Sequence, residues 1–92
     1  MSSMIYEDQE KNRTFILVWD GINFTGKPID LLVEANGQRN LVGKINSKEE
    51  LEQGREFDYQ GQKIFVQHKK VFLFIKELFL SVDGTKISGR SL

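Results

Sequence analysis

Gly21-Ile22-Asn23-Phe24-Thr25-Gly26-Lys27 has the glycine and lysine spacing of a phosphate-cradling loop, and it follows a strand-like run, where such a loop belongs. The match then breaks. Pro28 stands where a Ser or Thr hydroxyl would hold the metal ion, and it also lacks the N–H that phosphate would use. His68 is the single histidine and there is no cysteine, so any Ser–His pair or imidazole–metal arrangement would rest on that one ring. Lying between Gln67 and Lys69 at an expected strand end, it reads as a partly exposed loop residue. Asp20, Asp30, Asp58 and Asp83 stand beside glycines or near strand ends and read as turn formers rather than as a carboxylate pair. No catalytic residue, cofactor or metal site is assigned, and a non-enzymatic protein is expected.

Lys63, Phe65, His68, Lys69, Lys70, Phe72, Phe74 and Lys76 interleave basic and aromatic residues. On a sheet, such a pattern binds single strands, with bases stacking on rings and lysines following phosphates. Phe72 and Phe74 belong to a nearly unbroken apolar run, however, and burial is their expected fate. Lys63, Phe65, His68, Lys69 and Lys70 are left as the candidate partner-binding surface.

The elements that would carry these residues are mostly strands. Lys63 to Ser88 is the most apolar and β-like part of the chain and reads as the core. Thr14 to Trp19 reads as the first strand, with Trp19 a core residue at its end. Asp20-Gly21 should turn it into a short return over Ile22 to Phe24, before Thr25 to Pro28 breaks the pattern. Ile29 to Ala35 and Gln38 to Ile45 flank Asn36-Gly37, a strong hairpin signal because both residues tolerate positive φ. Ser47 to Gly54 is the one helical signature, with Ser47 as cap, Glu50 three residues on, and Gly54 as terminator.

Phe57 to Tyr59 and Lys63 to His68 flank Gln60-Gly61, with Phe57 and Tyr59 on one face. Lys69-Lys70 reads as a polar break. Val71 to Val82 reads as a strand, with a kink or bulge at Lys76-Glu77, although Val71, Phe74, Ile75, Leu78, Phe79 and Val82 also share a helical face. Asp83-Gly84 hands the chain to Thr85 to Ser88. The fold class is therefore all-β, a small antiparallel β-sandwich or barrel built from hairpins, with at most one short helical turn near 47–53.

At 92 residues there is room for one core, and residues 14–92 are assigned to a single β domain. Residues 1–13, polar and mixed in charge, read as a flexible lead-in. Thirteen basic and thirteen acidic side chains give a net charge of zero, which does not suggest strong attraction to nucleic acid. Beyond Tyr59, only Glu77 and Asp83 face six basic residues, so the C-terminal part is locally basic. The longest apolar run is far short of the roughly 20 residues that a membrane-spanning helix needs, and no secretory signal pattern opens the chain. A cytoplasmic location without a membrane partner is expected, as monomer or homodimer.

Three pieces, Phe15 to Phe24 (FILVWDGINF), Arg55 to Gln67 (REFDYQGQKIFVQ) and Leu80 to Ile87 (LSVDGTKI), resemble the C-terminal domain of the Fas apoptotic inhibitory molecule family and occur in that family's order. The resemblance implies a compact β-sandwich without enzymatic activity that acts through protein contacts. That family is associated with restraining death-receptor signalling and protein aggregation. No catalytic residues are carried over. Residues and resemblance lead to one expectation, a protein–protein interaction module with a regulatory or stress-related role. The alternative is a single-stranded nucleic-acid-binding barrel using the surface at 63–76.

Overall fold

In the computed structural model, which describes residues 2–20, 28–73 and 75–91, the chain first lays down a meander of four strands. These are β1 (Ser2–Asp8), β2 (Arg13–Trp19), β3 (Ile29–Ala35) and β4 (Gln38–Ile45). Helix α1 (Lys48–Gln53) leads to a second meander of β5 (Arg55–Tyr59), β6 (Gln62–Phe72), β7 (Ile75–Val82) and β8 (Thr85–Ile87). A short β9 (Gly89–Ser91) then crosses back to pair with β1. The result is two antiparallel sheets packed together, ordered β4-β3-β2-β1-β9 and β5-β6-β7-β8. The all-β expectation holds.

Alternation decides what goes inside. Phe15 and Leu17 of β2, with Leu31 and Val33 of β3, face Ile64 and Val66 of β6 and Leu78, Leu80 and Val82 of β7 in one buried cluster. Leu51 enters the same cluster from α1. Each such side chain, fully buried, contributes roughly 1.5–3 kcal/mol. Gly43 of β4 leaves the space that the Phe57 ring fills, since a Cβ there would lie 2.4 Å from the ring. The cap of α1 is as the sequence implies: Glu50 N–H donates to Ser47 Oγ at 3.1 Å, and the Glu50 carboxylate accepts from Asn46 N–H at 2.9 Å.

Asn36-Gly37, Gln60-Gly61 and Asp83-Gly84 are the expected hairpin turns, all with positive φ at both positions. Asp83 does more than turn the chain: its carboxylate accepts from Lys63 N–H at 2.8 Å and so ties the β7–β8 turn to the start of β6.

Three expectations are corrected. Residues 1–13 are not a flexible lead-in, because Ser2–Asp8 is a strand lying between β2 and β9. Tyr6 is buried there although Glu7 and Asp8 follow it directly. Arg13 belongs to β2 and is itself buried, paired with Asp8 at 2.9 Å and stacked near the Phe15 and Tyr59 rings. Lys69-Lys70 is not a break but part of β6, since at the far end of that strand both faces are open to solvent. Val71 to Val82 is not one strand. β6 ends at Phe72 and β7 begins at Ile75, with the register irregularity between Lys70 and Phe72 rather than at Lys76-Glu77. The expected return strand at Ile22 to Phe24, the phosphate-loop spacing and Phe74 lie outside the described residues.

Tyr6 joins the two sheets. Its hydroxyl donates to the Leu78 carbonyl at 2.5 Å, across the sandwich from β1 to β7. β8 pairs with β7 only over Leu80 to Val82, so the phenol reaches a backbone oxygen beyond the last paired residue of β8. On its other side the ring lies over Gly89 of β9, where a Cβ would meet it at 2.4 Å. Burial, with a smaller contribution from Glu77, pushes the Tyr6 hydroxyl above the ordinary phenol range, so it stays a donor at all physiological pH.

Replacing Tyr6 by Phe keeps the packing and removes the donor. Urea unfolding should show a loss of about 1–3 kcal/mol, the cost of leaving a buried carbonyl unpaired. A change within error would mean that the Leu78 carbonyl finds water instead.

Candidate functional site

The five residues proposed as a partner surface do not form one surface. In β6, Lys63, Phe65 and Lys69 fall on the outer face of the four-stranded sheet, while His68 and Lys70 share parity with the buried Ile64 and Val66. On the outer face each lysine has its own contact from a neighbouring strand. Lys63 Nζ lies 2.5 Å from Asp58, its cross-strand partner on β5, and that hydrogen bond raises its pKa. Lys69 sits opposite Glu77 with its ammonium 4.6 Å from the centre of the Phe79 ring, and Glu77 is bound in turn by Lys86 at 2.6 Å. The Phe65 ring fills the space above Gly54, where a Cβ would lie 2.2 Å from it. Basic residues with free aromatic faces are what a nucleic-acid platform needs. Here Lys63 is paired with Asp58, the Phe79 ring lies under the Lys69 ammonium, and the Phe65 ring covers the end of α1.

His68 is a strand residue rather than a loop residue, paired in register with Leu78. Burial lowers its pKa, Lys76 and Lys48 act in the same direction, and Glu52 opposes them. A lowered folded-state pKa means that the fold prefers the neutral ring. Its contribution to stability is present above the unfolded value of about 6.5 and is lost as pH falls through that value.

Two apolar features emerge that the residue pattern did not single out. The first is the free end of the β6–β7 ribbon. Phe72, expected to be buried, is 66% exposed, and Val71, Leu73 and Ile75 are 48%, 63% and 59% exposed. Cross-strand pairs continue past the core as Lys69–Glu77, Lys70–Lys76 and Phe72–Ile75, with Val71 the extra residue at the bulge. Leu73 has φ of 30°, a left-handed value unusual for a bulky side chain. The other tight hairpins place Asn36, Gln60 or Asp83 at such a position, each followed by Gly.

The second feature lies on the outer face of the five-stranded sheet. Strand register aligns Ile5, Ile16, Leu32 and Leu41 in one row across β1, β2, β3 and β4. Ile5, Ile16 and Leu32 of this row floor an open cleft of about 560 Å³, and Leu41 continues the row beyond it. Ion pairs rim it: Arg39 with Glu34 at 3.2 Å, Lys44 with Asp30 at 3.1 Å, and Arg90 with Glu7 at 2.7 Å. Asp30, read from sequence as a turn former, is therefore a strand residue in this rim. Ile16 is 3% exposed, so neighbouring side chains close over the row's centre, whereas Leu41 at the sheet edge is 54% exposed. The bulge opposite Leu31 and Leu32 sets this row, and no sequence period marks it.

Among the described residues no group of three or more His, Cys, Asp or Glu side chains could hold a metal ion, and no helix is long and apolar enough to cross a membrane. Comparison with protein-family models, curated proteins and solved structures returned no match to this chain.

Two outcomes are expected. Because His68 is the sole histidine, thermal melting of the native chain should fall as pH drops from about 7 to 5.5, and His68→Asn should flatten that slope; coincident profiles would mean that the imidazole is not buried. Leu73→Asn should raise stability by up to about 1 kcal/mol in urea unfolding, since Asn tolerates the left-handed backbone that Leu does not. A loss instead would show that the Leu73 side chain supports the fold.

Proposed function

We propose that this chain is a non-enzymatic β domain that binds another protein across the outer face of its five-stranded sheet. The observation that carries the reading is the apolar row Ile5–Ile16–Leu32–Leu41, which runs out to an exposed Leu41 on edge strand β4. The rim charges are internally paired, so the surface favours an apolar, weakly charged segment over a strongly acidic or basic one. Addition of a strand to β4 is the less favoured mode. Arg39, Lys44 and the bulge are the devices by which edge strands resist pairing. Action through protein contacts is also what the resemblance to the Fas apoptotic inhibitory molecule family implies, and a regulatory role would fit it.

The test is affinity capture with the native chain and with Leu41→Glu, at low and high salt, with and without nuclease. Leu41 is exposed enough for the charge to leave folding intact. A protein recovered under all conditions by the native chain, and reduced about tenfold or more by Leu41→Glu, is the expected result, since truncating or charging a central anchor removes most of an interface's energy. Equal recovery by the variant would overturn the site. Recovery that needs nucleic acid and vanishes with salt would favour the single-strand reading instead.

A further inference from the structure

We propose that the free end of the β6–β7 ribbon is a docking tip for the surface of an anionic lipid membrane, seated in the interface without crossing it. This surface is separate from the five-stranded sheet's outer face, so the two readings stand or fall independently. It also departs from the expectation, drawn from the lack of a spanning segment, that no membrane is involved.

The geometry is that of an overhang. Between Lys69 and Lys76 no described residue is buried, while Val66 and Leu80, further back on the same ribbon, are fully enclosed. The four steps of extended chain from Lys69 to Leu73 reach about 13 Å at the usual rise per residue.

The chemistry is graded along that overhang. At the end stand Val71, Phe72, Leu73 and Ile75, all exposed. A ribbon that docks one face on a protein keeps its other face polar. Here Phe72 and Ile75 form a cross-strand pair, and Val71 is displaced by the bulge, so apolar groups cover the end rather than a single face. That suits a medium that is apolar all round. The apolar part, about 7–10 Å long, matches the depth to which interfacial segments sink.

Behind it lies a collar of cations. Lys69 is on one face and Lys70 and Lys76 are on the other, all exposed and within two residues of the apolar end. Lys70 and Lys76 sit directly opposite each other in register, a like-charge pair that works against the hairpin unless an anion lies between them. The nearby carboxylates do not cancel the collar: Glu77 is bound by Lys86, and Glu52 on α1 is accompanied by Lys48. Cations placed at one depth on both faces complement a plane of anionic headgroups.

The turn itself supports the assignment. Asn36, Gln60 and Asp83 make the other tight hairpins with local conformational ease, whereas this one accepts Leu73 at positive φ. A local rule broken at an exposed apolar site marks selection for contact rather than for folding.

The experiment is co-sedimentation of the native chain with vesicles of zwitterionic lipid alone and of the same lipid with phosphatidylserine. It includes Leu73→Asn, the double variant Phe72→Ser with Ile75→Ser, and the triple variant Lys69→Gln, Lys70→Gln, Lys76→Gln. Thermal melting of each variant confirms its fold, and Leu73→Asn keeps the test informative if the double variant does not fold. Salt-sensitive pelleting with anionic vesicles is expected, with little on zwitterionic ones. Leu73→Asn and the double variant should lose it, and the triple variant should weaken it by about a hundredfold, or about fivefold per lysine. Native protein that stays in the supernatant with every vesicle overturns the proposal, as does a folded tip variant that binds like the native chain. Concentration-dependent dimers that vanish on altering the tip, without vesicle binding, would assign the tip to a second copy and equally overturn it.

Discussion

The buried hydroxyl of Tyr6 is the constraint on which the sandwich depends. Packed sheets are held mainly by nondirectional burial, which fixes how much is enclosed but not which strand stands over which. The hydrogen bond from Tyr6 of β1 to the Leu78 carbonyl of β7 fixes that relation at one point, and Arg13 of β2 donating to Gln62 of β6 fixes it at another. The same ring occupies the space that Gly89 leaves open, so β9 can close beside β1 only because residue 89 has no side chain. β1 and β9 are thereby held side by side in one sheet, and the same Tyr6 side chain ties that sheet to the other.

From that anchor the proportions of the molecule follow. Between the sheets, the β6–β7 ribbon is packed from Ile64 to Val66 and from Leu78 to Val82, and the remainder projects beyond any partner layer. Residues in the projection contribute little to burial, so their identity is free to answer to something other than stability. Lysines at Lys70 and Lys76 face each other and a leucine takes a glycine-like backbone, choices that a hairpin under selection for folding alone would not make. On the opposite sheet the apolar row is of another kind. It is partly covered by its own ion-paired rim and is most open at Leu41, which suits a narrow contact across the sheet.

What was legible in the sequence was local chemistry. Asn36-Gly37, Gln60-Gly61 and Asp83-Gly84 demand positive φ, and Ser47 with Glu50 satisfies open N–H groups at a helix start, so these features need no knowledge of the rest of the chain. β1 was not legible because its partners are remote. Ser2, Ser3, Glu7 and Asp8 look like a solvated tail until β2 and β9 flank them, and Arg13 looks like a surface charge until Asp8 and two rings enclose it. The apolar run at residues 71–75 misled in the opposite sense. Its hydrophobicity suggests burial, but among the described residues no layer stands opposite, and its turn carries no glycine or asparagine to announce itself. For the candidate surface, Lys63, Phe65, His68, Lys69 and Lys70 were grouped by closeness in sequence, whereas the alternation of β6 divides them between two faces and the pairing of Lys63 with Asp58 depends on cross-strand register, which composition does not encode.

The central claim is that a rigid sandwich closed by β1 carries a ribbon that extends beyond it. Native-state hydrogen exchange, read residue by residue, tests this most directly. The amides of β1 around Ile5 and Tyr6, with those of Leu78 to Leu80, should exchange only through global unfolding, while those from Lys70 to Lys76 should exchange through local opening at much lower free energy. Rapid exchange along β1 together with protection at the ribbon's end would contradict the account.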